Sequence, residues 1–280
     1  ASVLPEGMFY EAKNLTTVVV GADVNDIGEF AFRDTKVSTF DVVSGNKAYK
    51  SQKAAYILSA DGKTVAAVSP TFRGAFTAEQ LGGAKVTAIA DGAFSHNTKI
   101  TSVELPEVTV IGDYGFGSSE ALAAVTLGEL TKIGEYAFFE TSLTEMPAFT
   151  ADTHIGKYAF AFTDLVNVTI PDNMVIEEGV FSECLKLESV TIGNDVTIGN
   201  YAFQSCASLE TVTFMGNVTS VGNYAFHGCD GLSTIYYYGT TEPSYANALS
   251  SVTLYSSKGV SFCGLTPSNP PATQDPCSGD

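Results

Sequence analysis

Ile111-Gly-Asp-Tyr-Gly-Phe116, Ile133-Gly-Glu-Tyr-Ala-Phe138 and Ile155-Gly-Lys-Tyr-Ala-Phe160 are one six-residue unit written three times, and its recurrence decides the fold. Working outward, the unit returns at Ile27–Phe32, Ile89–Phe94, Ile176–Phe181, Ile198–Phe203 and Val221–Phe226, eight copies in all. From Ile89 onward the steps are 22, 22, 22, 21, 22 and 23 residues. A fixed period of this length is the signature of a stacked repeat rather than of a globular domain.

A second pattern, Leu-x-x-Val-x-Ile or close to it, lies between the copies. Examples are Leu165-x-x-Val168-x-Ile170, Leu187-x-x-Val190-x-Ile192 and Leu209-x-x-Val212-x-Phe214. Its alternation, rich in Val, Ile and Thr, predicts a short β-strand. One rung of strand, turn and return loop cannot bury its own apolar residues, whereas stacked rungs give each apolar column a neighbour above and below. Parallel strands of successive rungs then share hydrogen bonds at a spacing of ~4.8 Å. Eight or nine such rungs are expected, with the sheet on one face. Phe32, Phe94, Phe116, Phe138, Phe160, Phe181, Phe203 and Phe226 are expected to form one buried column. The residue before each Phe is Ala or Gly except at Val180, whose rung also lacks Gly after Ile176, so an irregularity is expected there.

The Ile-Gly-x-Tyr-Ala-Phe unit, followed by x-x-Cys-x-x-Leu and the strand, resembles the BspA-like leucine-rich repeats over roughly residues 14–240. That class occurs in bacterial surface proteins and some parasitic protists. The resemblance implies a leucine-rich repeat solenoid: a β-rich, right-handed array of rungs of about 22 residues with a parallel sheet on its concave face. Residues 1–13 read as a lead-in and 14–240 as the solenoid. An insertion at about 43–76 reads as a β-hairpin, because Asp61-Gly62 separates two apolar runs and Gly accepts positive φ. Residues 241–280 read as a C-terminal cap, with Ser251–Tyr255 as a closing strand and a loosely ordered tail from Thr266.

The chain has 280 residues, 45% hydrophobic and 16% charged, with a formal net charge of −17. That balance argues against nucleic acid and anionic membranes as partners, since both need Lys and Arg to neutralise phosphate. No apolar run reaches the ~18 residues of a membrane span. The chain starts at Ala-Ser-Val rather than Met, compatible with a removed leader. A secreted or cell-surface location and a monomeric state are expected.

Candidate chemistry is sparse. His96, His154 and His227 fall at different phases of the repeat and read as exposed turn residues. No recurring nucleophile–base set accompanies them, so neither enzymatic activity nor a metal or cofactor is expected. Asp23, Asn25 and Asp26 only faintly suggest a calcium loop, since Ile27 is committed to the core. Cys184, Cys206 and Cys229 share one phase with Thr35, Asn97, Ser119, Thr141 and Thr163, which marks a buried ladder of small polar residues. Cys263 and Cys277 lie outside the array; they read as a disulfide, or alternatively as free or intermolecularly paired thiols. Glu29, Asp91, Asp113, Glu135 and Glu178 form an acidic column interrupted by Lys157, Asn200 and Asn223, and read as a solvated face.

The x positions of the strand pattern point away from the core. Glu188, Thr191, Glu210, Thr211, Thr213 and Tyr236 are therefore the candidate ligand-binding residues of the concave face. The expected function is a non-catalytic binding or adhesion module for a host protein or glycan. The alternative is a passive structural or self-associating spacer.

Overall fold

Ser189–Ile192 and Thr211–Phe214 show how each rung is built. Val190, Ile192, Val212 and Phe214 are buried, while the residues between them face outward. The computed structural model describes residues 2–51, 54–247 and 249–268. It is a parallel β-solenoid of about 11 turns at a spacing of ~22 residues. The 3-10 turn Ala78–Leu81 is its helical element among the described residues.

The turns exceed the eight or nine expected because degenerate rungs also stack. Ser2–Leu4 pairs in parallel with Val24–Ile27, and Phe9 stacks on Phe32 at 5.9 Å, so residues 2–13 repeat the turn half of a rung. Thr64–Val68 and Gly74–Thr77 make another rung, and Ser244–Tyr245 with Thr253–Ser256 a further one.

Parallel pairing occurs on two sides of the array rather than one. The main ladder holds the Leu-x-x-Val-x-Ile strands and ends in Asn167–Ile170, Ser189–Ile192, Thr211–Phe214, Thr234–Tyr237, Thr253–Ser256 and Pro267–Ser268. A second ladder holds the residues that lead into each Ile, such as Val110–Ile111 and Leu130–Ile133. The turns between the ladders also bond from rung to rung. Tyr114 N–H donates to the Glu135 carbonyl at 2.8 Å, and Phe116 N–H to that of Ala137 at 2.8 Å.

The main ladder is broken between Ala124–Leu127 and Asn167–Ile170. Residues 143–147, at the phase of a main-ladder strand, form none, because Pro147 has no N–H to give the ladder. Val125 and Leu127 are left half-buried beside the gap. The second ladder is interrupted one step later, between Phe149–Ile155 and Val175–Ile176, at the rung that carries Glu177 and Val180.

The insertion is an antiparallel hairpin: Tyr56–Ser59 pairs with Thr64–Val68. Gly62 turns it at φ 77°, and Asp61 Oδ1 accepts from Ser59 Oγ at 2.6 Å and Lys63 N–H at 3.0 Å. Phe76 rejoins the core fully buried, packed edge-on against Phe94 at 5.1 Å. Phe32 does not. It belongs to a separate cluster with Val37 and Phe40, so the single Phe column runs from Phe94 to Phe226, with neighbouring rings 4.8–5.8 Å apart. At the far end Phe262 closes the core, 4.5 Å from Phe214 and 4.9 Å from Tyr237. Within the expected loose tail, Pro267–Ser268 adds a short strand to the main ladder.

Candidate functional site

The main ladder from Asn167 to Ser256 carries the six residues singled out from the sequence. Its strands pair without a register shift, so their outward side chains fall into rows. One row runs Asn167, Ser189, Thr211, Thr234, Thr253; the next runs Thr169, Thr191, Thr213, Tyr236, Tyr255. Glu188 and Glu210 stand side by side at the entry to their strands, joined by Glu210 N–H donating to the Glu188 carbonyl at 2.9 Å. Both carboxylates are exposed, whereas Thr191, Thr211, Thr213 and Tyr236 are half-buried by their neighbours along the row. Four of the six thus share one face, and the two carboxylates stand at its border.

Tyr255 belongs with them and was missed as a face residue. Its ring stacks on Tyr236 at 5.4 Å, so the hydroxyl row ends in an aromatic pair. The signal was the Val252-x-Leu254 alternation, which sets Tyr255 facing outward. This face can offer hydroxyls, two carboxylates and a pair of stacked rings at fixed spacing. Ser189 Oγ already donates to Asn167 Oδ1 at 2.6 Å, so part of the row is bonded within itself.

The opposite, turn side of the array holds an aromatic ladder that the sequence reading also passed over. Tyr114, Tyr136 and Tyr158 stack at 4.8 and 5.2 Å, and Tyr201 on Tyr224 at 5.7 Å. These residues all have φ between 51° and 57°, the left-handed region that costs a non-Gly residue about 1–2 kcal/mol. Offset ring stacking returns about 0.5–1.5 kcal/mol per pair, enough to offset much of that strain. Gly179 occupies the same phase at φ 64°, and a Cβ there would lie 2.1 Å from the Tyr158 ring, so the ladder must skip that rung.

The cysteine column is an interior hydrogen-bond ladder. Thr35, Thr141 and Thr163 donate to the Phe carbonyl of their own turn at 2.8 Å. Ser119, Cys184, Cys206 and Cys229 instead reach the Phe carbonyl of the preceding rung, at 2.7, 3.2, 3.1 and 3.0 Å. The β-branched residue closes its own turn, and the unbranched one ties two rungs together. Cys184 and Cys206 are buried, but Cys229 is only half-buried. Within the Cys184–Cys206 pair, contact between the thiols and burial push Cys206 up and favour the protonated form. Cys263 is buried, which, with Glu242 nearby, pushes its thiol up to about 12. Cys277 lies outside the described residues.

His96 is half-buried rather than exposed. Its ring meets Phe30 edge-on at 5.5 Å, and Nδ1 lies 2.7 Å from Ser95 Oγ. Burial, then Arg33, hold its pKa below the ordinary 6.5. His154 and His227 are exposed on other parts of the array. Val24–Ile27, where a calcium loop was faintly suggested, is a strand. In the acidic column, Asp91 Oδ1 accepts from Asp113 N–H at 2.8 Å and Asp113 Oδ1 from Glu135 N–H at 2.9 Å. Glu178 receives Lys157 at 3.2 Å. Burial, then Asp91, Asp113 and Glu6, raise the pKa of Glu29. No group of three or more His, Cys, Asp and Glu among the described residues is arranged to hold a metal ion.

The model of the BspA type leucine-rich repeat region matches six copies, over residues 2–56, 87–206 and 131–256. The chain belongs to the BspA-type leucine-rich repeat family. The family match skips residues 57–86, where the hairpin rung departs from the repeat. No curated protein matches the chain. Among solved structures, the chain is similar to the pneumococcal vaccine antigen PcpA, with 19% identity and a TM-score of 0.54 over 81% of this chain and 52% of that one. It is also similar to a leucine rich cell surface protein of Faecalibacterium prausnitzii A2-165, with 22% identity and a TM-score of 0.45 over 86% of this chain and 52% of that one. The chain spans about half the length of each. The likeness to PcpA extends the agreement in fold. No helix among the described residues is long and apolar enough to cross a membrane.

Proposed function

We propose that this chain is the non-catalytic binding region of a secreted or cell-surface protein, and that it recognises a protein or glycan through the main-ladder face. The observation that supports this reading is the set of register-matched rows that align Thr191, Thr213 and Tyr236 beside Thr211, with Glu188 and Glu210 exposed at the entry to their strands. The stacked Tyr236–Tyr255 pair gives it an aromatic anchor, the residue type enriched at binding hot spots. The cell-surface setting draws on PcpA, a vaccine antigen, and on the F. prausnitzii cell surface protein. Adhesion to a host is the use such a face would serve.

The test is a screen of immobilised matrix proteins and glycans, followed by a triple substitution of Glu188, Glu210 and Tyr236 to Ala. Binding is expected to weaken about tenfold or more, with the melting temperature nearly unchanged, because these groups lie off the core. The control is Glu107, Glu129 and Lys132 to Ala, three exposed residues outside this face. Equal losses in both triples would remove the face assignment. An empty screen together with self-association in sedimentation would favour a spacer.

A further inference from the structure

Charge is divided unequally along the chain. Residues 1–99 hold ten of the 14 Lys and Arg and ten of the 31 Asp and Glu, so that third is formally neutral and residues 100–280 carry the whole −17. Within the neutral third, four successive rungs return from turn to strand around a cavity of about 450 Å³. Its walls include Lys13, Lys36 and Lys99, one from each of three rungs. The hairpin-bearing rung between the last two contributes Pro70 and Thr71, whose short side chains leave the space open. That rung is held in place from within: Ser69 Oγ and Thr71 Oγ1 donate to the Val37 carbonyl at 2.7 and 3.2 Å, and Asn97 Nδ2 donates to the Ser69 carbonyl at 2.9 Å.

The three lysines are exposed, and none of the three ion pairs among the described residues uses them. Glu11 and Asp34 also line the cavity, but Asp34 lies 3.5 Å from Arg33, whose charge offsets its own. His96, held neutral at pH 7 by burial and Arg33, adds a polar edge without charge. Thr98 adds an exposed hydroxyl. The result is a groove with surplus positive charge in an otherwise acidic protein.

We propose that this groove binds an anionic glycan, a hydroxyl-bearing chain with sulfate or carboxylate groups. At ~4.8 Å per rung, the lysines span about 15 Å, which suits a line of separated charges better than one small anion. Lys offers a point charge with three rotatable donors, suited to such groups without a demand for fixed geometry. Nucleic acid fits less well. Single strands are held by aromatic stacking platforms, and the groove is lined by no Phe, Tyr or Trp. A dense polyphosphate would also be repelled by the acidic rungs that follow Ile100 in proportion to its charge, whereas a sparser chain meets less of that repulsion. The proposal stands apart from the main-ladder face, which shares none of these residues.

The test uses the full chain and calorimetry at low salt with three probes: a chondroitin sulfate oligosaccharide, a hyaluronate oligosaccharide and single-stranded DNA of similar length. At least one oligosaccharide is expected to bind, more weakly as salt rises. Lys13→Gln, Lys36→Gln and Lys99→Gln together should weaken it about tenfold. Glu11→Gln should tighten it, and Lys132→Gln with Lys258→Gln should leave it unchanged. All substituted side chains are exposed, and an unchanged circular dichroism spectrum checks the fold. The proposal is overturned if neither oligosaccharide binds, or if the two lysine sets cause equal losses. DNA binding as tightly as the glycan, with the same dependence on Lys13, Lys36 and Lys99, overturns the choice of ligand.

Discussion

Residues 100–237 and residues 2–56 are written in the same repeat but pack differently. In the first, apart from the breaks at Pro147 and at the rung of Glu177, strands of neighbouring rungs pair in parallel, and Phe116, Phe138, Phe160, Phe181, Phe203 and Phe226 stack within one continuous core. In the second, Phe9, Phe32 and Phe40 form a short aromatic run in a core of their own, with the hairpin strands between it and Phe94. A repeat motif therefore specifies the inside of its rung, whereas the length and shape of the connecting segment specify whether two rungs touch. The interruption has a second effect. Where rungs stack in phase, long side chains fill the surface in columns; where the short Pro70-Thr71 loop intervenes, a groove opens.

The largest test of this contrast is removal of one ring from each core. Phe160→Ala, in the middle of the continuous column, should cost about 3–5 kcal/mol, because the rings on both sides prevent collapse. Phe9→Ala, half-buried at the first rung, should cost about 1–2 kcal/mol. Urea unfolding followed by circular dichroism measures both, and equal costs would break the distinction between the two cores. Hydrogen exchange can sharpen it, since the smaller cluster should open at lower free energy than the larger one.

A smaller effect tests how closely the rungs stack. A Cβ at Gly156 would lie 2.5 Å from the backbone nitrogen of Glu135, whereas one at Gly21 would meet nothing within 4 Å. Gly156→Ala should therefore destabilise by about 1–3 kcal/mol through overpacking against backbone. Gly21→Ala should stay within about 0.5 kcal/mol of the parent. A thermal melt that ranks them in the opposite order would contradict the close approach between the regular rungs.

The smallest effect is titration at the edge of the interruption. The folded state holds His96 below its ordinary 6.5, so between that value and the lower folded one the unfolded chain binds more protons. Its contribution to stability is present above pH 6.5 and is lost as the pH falls through that window. Glu29 acts with the opposite sign: its folded pKa is raised above 4.5, so its contribution is present below 4.5 and is lost as the pH rises. The comparison that isolates His96 is parent against His96→Gln, whose stability should fall less between pH 7 and pH 5. Parallel curves would show that the burial of His96 does not matter energetically.

Much of this protein was legible from its residues alone. The period of the Ile-Gly-x-Tyr-Ala-Phe unit, the inward Val, Ile and Phe columns, the Asp61-Gly62 hairpin and the outward position of Glu188, Glu210 and Tyr236 all follow from local pattern. Each depends on contacts within one rung or on identical contacts repeated between rungs. Tertiary structure decided what depends on which rung lies next to which. It separated Phe32 from Phe94, removed the strand at Pro147, sheltered His96 against Phe30 and added Tyr255 to Tyr236. It also drew Lys13, Lys36 and Lys99 to one groove across 86 residues of chain. Periodicity reports the environment of an average rung, and each of these features arises where a neighbour departs from the average.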